Sequence, residues 1–120
     1  ASIEQAIAAT AEGERMVLNV AFNYSSRSEI LDAFRAYVED GNSLAQLDET
    51  AFEDYLYTAG LPDPDLLVRT GGDQRVSNFL LWQAAYAELY FCDCYWPAFG
   101  PDELDKAIDE FGRRSRRFGR

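Results

Sequence analysis

The stretch Asp65-Leu-Leu-Val-Arg-Thr-Gly-Gly-Asp-Gln-Arg-Val-Ser-Asn-Phe-Leu-Leu-Trp-Gln-Ala-Ala-Tyr-Ala-Glu-Leu-Tyr-Phe91 places glycine and polar residues between two apolar segments. Residues 65–68 form a short apolar run after a proline-rich turn, which predicts a buried strand. Residues 79–87 predict a helix, and residues 88–92 predict a second strand. The polar residues between the apolar segments therefore lie at the carboxyl end of a strand.

The residues that follow the first of these strands are suited to bind an anion. Arg69 ends the strand, Gly71 and Gly72 allow close approach of the backbone, and Arg75 and Ser77 precede the predicted helix. Two guanidinium groups, a hydroxyl and free backbone N–H groups at a strand end fit a diphosphate. Residue types alone leave an alternative, an arginine-rich loop that caps a helix and pairs with nearby carboxylates.

Strands and helices alternate along the rest of the chain. A strand is predicted at residues 16–22, and helices are predicted at residues 2–11, 28–39 and 48–57 and from about residue 102 onward. The helix at 28–39 has four apolar residues on one face: Ile30, Leu31, Phe34 and Val38. This order predicts an α/β fold with a mostly parallel sheet and helices on both faces. Since Asn23 and Arg69 each follow a predicted strand, we expect both at the same rim of the sheet.

The order of residues 69–91 closely resembles the signature of the cis-prenyltransferases, the family of undecaprenyl diphosphate synthase. Further segments resemble the family in the same order: Asn23-Tyr-Ser-Ser-Arg-Ser-Glu-Ile30, Leu61-Pro-Asp-Pro-Asp65, Trp96-Pro-Ala-Phe99 and Arg116-Arg-Phe-Gly119. The resemblance covers essentially the whole chain. It implies that residues 1–120 are the carboxyl-terminal portion of one cis-prenyltransferase catalytic domain.

The family's amino-terminal half carries an Asp-Gly-Asn-Gly-Arg-Trp-like loop, whose aspartate is the principal catalytic and magnesium-binding carboxylate. Nothing in this chain resembles that loop, and the sequence begins at Ala1 without an initiator methionine. We therefore expect a segment of a longer protein, and the 120 residues alone to be inactive.

The resemblance implies an enzyme of isoprenoid biosynthesis, such as those that make the lipid carrier of cell-wall synthesis. The family condenses isopentenyl diphosphate with an allylic diphosphate to a Z-polyprenyl or short Z-prenyl diphosphate, releases diphosphate and requires Mg²⁺. An alternative is a non-catalytic partner subunit of a heteromeric cis-prenyltransferase. Such partners tend to lose the segment from Arg69 to Phe79, which this chain keeps. A third alternative is a generic phosphate-binding α/β domain. This alternative requires the long, ordered match to the family to be a coincidence.

The resemblance assigns substrate contacts to five residues of this chain. Arg69, Arg75 and Ser77 correspond to residues that hold the diphosphate of isopentenyl diphosphate. Arg117 and Gly119 correspond to a tail that folds over the bound diphosphate, in some members across a dimer interface, although a frayed terminus is the plain alternative.

The resemblance also assigns a metal role to Glu88, which matches a glutamate that helps to hold Mg²⁺ or orient the diphosphate. Spacing alone leaves a surface helix charge as the alternative. Asp73 stands where the family commonly has Glu, and Gln74 where several members have His. We interpret Asp73 as a structural residue or as one that positions the substrate-binding side chains without contacting the substrate. We assign no role to Gln74.

The segment from Asn23 to Arg27 matches the family's Asn-Tyr-Gly-Gly-Arg motif, with Ser25 and Ser26 in place of the glycines. Because a positive φ is costly for serine, the backbone here is more restricted than in the family. We expect the motif to connect a loop to a helix, with Ser26 or Ser28 as the helix cap, rather than to contact the allylic diphosphate.

Net charge is −10, and five of the eleven basic residues lie within residues 113–120. An acidic body argues against nucleic acid as a partner. The basic end fits phosphate groups or an anionic membrane face, or it offsets a helix macrodipole. From the family we expect a homodimer in the cytoplasm, with peripheral contact to the inner face of the membrane left open.

Cys92 and Cys94 are the only cysteines, and the chain has no histidine. We interpret them as reduced packing residues on one side of a strand rather than as a redox or zinc site.

Overall fold

The computed structural model describes residues 2–114. Arg117 and Gly119 lie outside these residues. Within this part of the chain the helices and strands follow the order α1 (Ser2–Thr10), α2 (Ser26–Glu39), α3 (Glu49–Glu53), β1 (Leu66–Arg69), β2 (Glu88–Phe91) and α4 (Pro101–Arg113). Short 3₁₀ turns lie at Leu44–Gln46 and Trp96–Ala98.

The two strands form a parallel pair, with Leu66 opposite Glu88 and Arg69 opposite Phe91. The carboxyl end of β1 therefore carries Arg69, whereas Glu88 stands at the amino end of β2. Helix α4 packs against β2. These features confirm the predicted α/β class with a parallel sheet.

The N-cap of helix α2 precedes both of the expected caps. Its N-cap is Ser25, which has extended backbone angles and whose side chain accepts a hydrogen bond from the backbone N–H of Ser28. The expectation of Ser26 or Ser28 as the cap was therefore wrong. Because Ser25 is extended, with φ of −145°, replacing the family's glycine here causes no backbone strain.

The buried face of α2 is not the predicted one. Leu31, Phe34 and Val38 are exposed by 54%, 41% and 45%. The buried positions are instead Ser26, Glu29, Ala33 and Tyr37. These residues turn toward α3 and the segment around Trp82, and the buried carboxylate of Glu29 finds polar partners there.

The main apolar cluster lies between α2 and α3. Ala33, Phe52 and Leu56 are buried, and the indole of Trp82 packs on Phe52 with ring centroids 4.8 Å apart. Ile30, Leu47 and Tyr55 complete this cluster. The predicted helix at 48–57 ends at Glu53, and turns follow it.

The predicted strand at residues 16–22 is absent: this segment is neither strand nor helix. Its apolar side chains are exposed, with Phe22 at 93%. A strand requires a hydrogen-bonded neighbour, and within residues 2–114 β1 pairs only with β2.

The predicted helix at residues 79–87 is also wrong, because this segment is a series of turns. Leu80 has a positive φ of 47°, which a right-handed helix excludes. Only Ala84 donates its N–H to the carbonyl four residues back, whereas Ala85 and Ala87 bond three residues back. No helix in residues 2–114 is long and apolar enough to cross a membrane.

Candidate functional site

Arg69 is the centre of the candidate site. Its Nη1 donates to the backbone carbonyl of Arg75 and to the Oγ of Ser77, each at 2.8 Å. Its side chain is 26% exposed, so one side of the guanidinium remains open to a ligand. The structure thus brings together the three residues predicted to hold the diphosphate.

Asp73 links the two arginine side chains. One carboxylate oxygen, Oδ2, lies 3.2 Å from Nη2 of Arg69 and 2.6 Å from Nη2 of Arg75. An anion therefore already bridges both guanidinium groups. We refer to Arg69, Asp73, Arg75 and Ser77 as the cradle.

Gly71 and Gly72 form the turn that leads from β1 into the cradle. Both have positive φ angles, 93° and 81°, which favour glycine. Their N–H groups donate to the carbonyls of Cys94 and Cys92, at 2.8 and 3.0 Å. Both N–H groups are therefore used to hold the turn and are not free for a diphosphate.

Asn78 connects the cradle to the start of α2. Its backbone carbonyl accepts from the N–H of Ser26, and its side-chain Oδ1 accepts from the N–H of Arg27, both at 3.0 Å. Its Nδ2 donates to Ser25 Oγ at 2.9 Å. The Asn23–Arg27 motif and the Arg69 motif are thus joined through the residue next to Ser77, although the strand expected before Asn23 is absent.

Behind this junction lies a buried carboxylate that the sequence did not point to. Glu29 is fully buried, and its Oε1 accepts from the N–H of Tyr57 at 2.9 Å and from Nε2 of Gln83 at 3.0 Å. Its Oε2 accepts from the hydroxyl of Tyr24. Burial and this bond to Glu29 raise the pKa of Tyr24 to about 12, so the phenol stays protonated as a donor. The sequence carried no clear signal, because a glutamate in the first turn of a helix is usually exposed.

An apolar pocket of about 380 Å³ lies beside the segment that follows the cradle in the sequence. Phe79 and Leu80, which directly follow Ser77 and Asn78, line one side of it. The remaining lining residues are mainly apolar and come from the segments 19–24, 57–64 and Gln83. An apolar pocket of this kind suits hydrocarbon groups better than charged groups.

Glu88 is not part of the cradle. It lies at the amino end of β2, three residues from Arg69 in register, or about 10 Å along the strands. Its Oε2 pairs with Nη1 of Arg114 at 3.2 Å, and the same nitrogen donates to the carbonyl of Leu89 at 2.8 Å. Glu110 contacts Nε of Arg114 at 3.3 Å. The bond to Glu88 is the main cause that raises the pKa of Arg114.

Glu88 offers the type of donor atom that Mg²⁺ binds, but the side chains that the structure describes around it do not form a metal site. A carboxylate is the hard oxygen ligand that Mg²⁺ takes, and Mg²⁺ usually needs only one or two from the protein when phosphate oxygens supply the rest. Within residues 2–114 no three Asp, Glu, Cys or His side chains are grouped as a metal site. Gln74 lines a polar pocket of about 500 Å³ together with residues of β2 and with Arg113 and Arg114, and Glu88 does not line it.

The chain is thus an α/β protein with a parallel strand pair and with two arginines and a hydroxyl grouped at the end of a strand. A family model described as "Putative undecaprenyl diphosphate synthase" matches residues 1–119. This match shows that the chain is a member of the undecaprenyl diphosphate synthase family of cis-prenyltransferases.

Individual relatives agree with this assignment. The chain is 49% identical over 117 residues to an isoprenyl transferase of Fusobacterium nucleatum, which covers 98% of this chain and 50% of the relative. It is 50% identical over 107 residues to a tritrans,polycis-undecaprenyl-diphosphate synthase (geranylgeranyl-diphosphate specific) of Thermoplasma volcanium, covering 86% of this chain and 42% of the relative. The chain thus spans about half the length of the curated relatives it matches.

Among solved structures, the chain resembles lavandulyl diphosphate synthase from Lavandula x intermedia in complex with dimethylallyl diphosphate. The TM-score is 0.92 at 37% identity, over 99% of this chain and 53% of the other. The arrangement of β1, β2 and the helices is therefore that of a cis-prenyltransferase.

Proposed function

We propose that this chain belongs to a cis-prenyltransferase that condenses isopentenyl diphosphate with an allylic diphosphate, and that the cradle binds the diphosphate of isopentenyl diphosphate. The observation that carries the proposal is the position of Arg69, which ends β1 and holds Arg75 and Ser77 around itself. The names of the relatives, isoprenyl transferase and undecaprenyl-diphosphate synthase, support this proposal.

The role of the cradle in the reaction is to bind and orient. Both arginines stay charged at any working pH and donate parallel hydrogen bonds to phosphate oxygens, and Ser77 adds a hydroxyl. The bonds from Arg69 use only part of its N–H groups, so others remain for the diphosphate. When the diphosphate binds, its oxygens replace the Asp73 carboxylate as the anion between the arginines.

Fixing the diphosphate fixes the double bond of the isopentenyl group in position for attack on the allylic carbon. The new carbon–carbon bond forms as the allylic carbon–oxygen bond breaks and inorganic diphosphate leaves. A proton is then lost from C2 of the isopentenyl group to solvent, which restores a double bond. Holding two reactants in this geometry is a major part of catalysis for such a reaction. The apolar pocket beside Phe79 and Leu80 suits the hydrocarbon part of a prenyl substrate.

Mg²⁺ would supply positive charge to the departing diphosphate when bound. We propose Glu88 as one of its ligands, together with diphosphate oxygens. Glu88 would hold the metal at the amino end of β2, whereas Arg69 stands at the carboxyl end of β1.

The quaternary and cellular setting follows from the family. We propose a homodimer in the cytoplasm, with Arg117 and Gly119 closing over a bound diphosphate and the basic end available for peripheral contact with a membrane. The alternative of a non-catalytic partner subunit is less favoured, because the cradle is complete and the matched relatives carry the names of synthases and transferases.

The substitution Arg69→Ala in the intact enzyme tests this proposal. Loss of a charged hydrogen bond costs about 1.5 to 3 kcal/mol, so we expect kcat/KM for isopentenyl diphosphate to fall by about tenfold to a hundredfold. Arg35→Ala is the matched control, because Arg35 is an exposed arginine that also pairs with a nearby aspartate, Asp32. Unchanged kinetics for Arg69→Ala would remove this residue from the site.

A further inference from the structure

The two cysteines lie closer together than packing requires. Strand β2 ends at Phe91, so Cys92 and Cys94 stand in a bend rather than on the strand. Both thiols are free and partly buried, and their sulfur atoms are 2.9 Å apart. The bend thus turns two residues separated by one position into a facing pair.

The same bend holds the turn that enters the cradle. The carbonyl of Cys92 accepts from the N–H of Gly72, and the carbonyl of Cys94 accepts from the N–H of Gly71. The N–H of Cys92 in turn donates to the carbonyl of Arg69 at 3.0 Å. These three backbone hydrogen bonds therefore tie the bend to Arg69, Gly71 and Gly72, the residues that lead into the cradle.

We propose that Cys92 and Cys94 form a redox-active dithiol that closes to a disulfide by exchange with a low-molecular-weight disulfide, and that closure weakens diphosphate binding at the cradle. The effect on diphosphate binding rests on the proposed function, whereas formation of the disulfide does not. The redox-active dithiol replaces the interpretation of the two cysteines as packing residues only.

The exchange takes place in two balanced steps. The Cys92 sulfur attacks the small disulfide, forms a mixed disulfide and releases one small thiolate. The Cys94 sulfur then attacks the Cys92 sulfur, gives up its proton to solvent and releases the second small thiolate. The protein loses two electrons and two protons, and the small disulfide is reduced to two thiols.

The order of these steps follows from the contact between the sulfurs. The hydrogen bond with Cys92 is the main cause that raises the pKa of the Cys94 thiol to about 11, so Cys94 keeps its proton at neutral pH. A raised pKa leaves little thiolate on Cys94, so we assign the resolving step rather than the first attack to Cys94. The sulfurs need to approach by about 0.9 Å to reach a bond length of about 2 Å.

Formation of the disulfide would affect the cradle through the backbone carbonyls of Cys92 and Cys94. A bond between the sulfurs restricts the torsion angles of residues 92–94 and redirects the carbonyls that hold Gly71 and Gly72. The cradle begins at the next residue, Asp73, which bridges both arginines. By linkage, diphosphate binding and disulfide closure oppose each other by the same factor, which we expect to be about fivefold or more.

The first experiment measures the equilibrium constant for closure of the purified intact protein in glutathione buffers, with peptide mass mapping to locate the bond. Any Cys-x-Cys segment can close to some extent, so the same constant is measured in denaturant. We expect the native constant to exceed the denatured one by about tenfold or more, since the fold places the sulfurs together. A native constant equal to or below the denatured one overturns the dithiol. The variants Cys92→Ser and Cys94→Ser are the controls that cannot close.

The second experiment measures binding of inorganic diphosphate by calorimetry to the reduced and closed forms. We expect about fivefold or greater weakening on closure, and no response to the glutathione ratio in either serine variant. Equal affinity in both forms overturns the coupling. Absence of binding to the reduced protein contradicts both the cradle and the coupling, and the first experiment then decides the dithiol by itself.

Discussion

Arg69 and Glu88 show how differently two charged residues of one motif are used. Arg69 holds the backbone and side chains that follow it, whereas Glu88 pairs with Arg114 at the other end of the strand pair. The grouping of Arg69, Arg75 and Ser77 could be predicted, because these residues are close in sequence and follow a strand end. The position of Glu88 at the start of a strand could be predicted as well, but its pairing with Arg114 could not, because the two residues are 26 positions apart in the sequence.

The substitution Glu88→Gln separates a metal ligand from a structural partner of Arg114. It keeps size and hydrogen-bonding capacity but removes the charge that Mg²⁺ requires, so we expect activity to fall and raised Mg²⁺ to restore part of it. The melting temperature should change little, because glutamine can still accept the hydrogen bond from Arg114 in this partly buried pair. A magnesium titration of activity for wild-type and variant enzyme measures the difference.

Glu110→Gln is the matched control, because Glu110 contacts the same guanidinium of Arg114. If Glu88 serves only to hold Arg114, both variants will behave alike. Superimposable normalised magnesium curves for wild type and Glu88→Gln would remove the metal assignment.

At the scale of elements, helix α2 depends on the buried Glu29. Its carboxylate receives hydrogen bonds from Tyr24, from the backbone of Tyr57 and from Gln83, and so ties α2 to two other segments. Glu29→Ala leaves these buried donors without their acceptor. We expect a loss of about 3 kcal/mol or more in the free energy of unfolding, measured by urea denaturation of the intact protein.

Glu39→Ala provides the comparison within the same helix. Glu39 is exposed in the last turn of α2, where its charge opposes the macrodipole, so the change should alter stability by no more than about 0.5 kcal/mol. Equal effects of the two substitutions would show that the Glu29 contacts do not stabilise the fold.

The elements that sequence reasoning placed correctly are those whose pattern is local. Strands β1 and β2 follow from short apolar runs bounded by turns, and α4 follows from Pro101 and the acidic residues after it. Residues 16–22 were wrongly predicted to form a strand, because an apolar sequence does not show whether a neighbouring strand is there to pair with it. The face of α2 was misassigned because apolar periodicity ignores a carboxylate that is buried with its own donors.

At the scale of the whole molecule, this chain spans about half the length of its curated relatives and exposes a run of apolar side chains at residues 16–22. From the family resemblance we propose that the principal catalytic aspartate does not lie within these 120 residues. We therefore expect the 120 residues alone to incorporate no labelled isopentenyl diphosphate into polyprenyl products in the presence of an allylic diphosphate and Mg²⁺.

The intact enzyme, assayed in parallel, is the positive control for that experiment. Incorporation by the 120 residues alone would contradict the expectation, and would mean that the residues needed for catalysis lie within this chain.

The central claim is that the cradle binds the diphosphate of isopentenyl diphosphate. A crystal structure of the intact protein with isopentenyl diphosphate measures this directly. We predict diphosphate oxygens within hydrogen-bond distance of the Arg69 and Arg75 guanidinium groups and the Ser77 hydroxyl, with the Asp73 carboxylate displaced from its bridging position. A diphosphate bound elsewhere, with the Asp73 bridge between the arginines intact, would contradict the account.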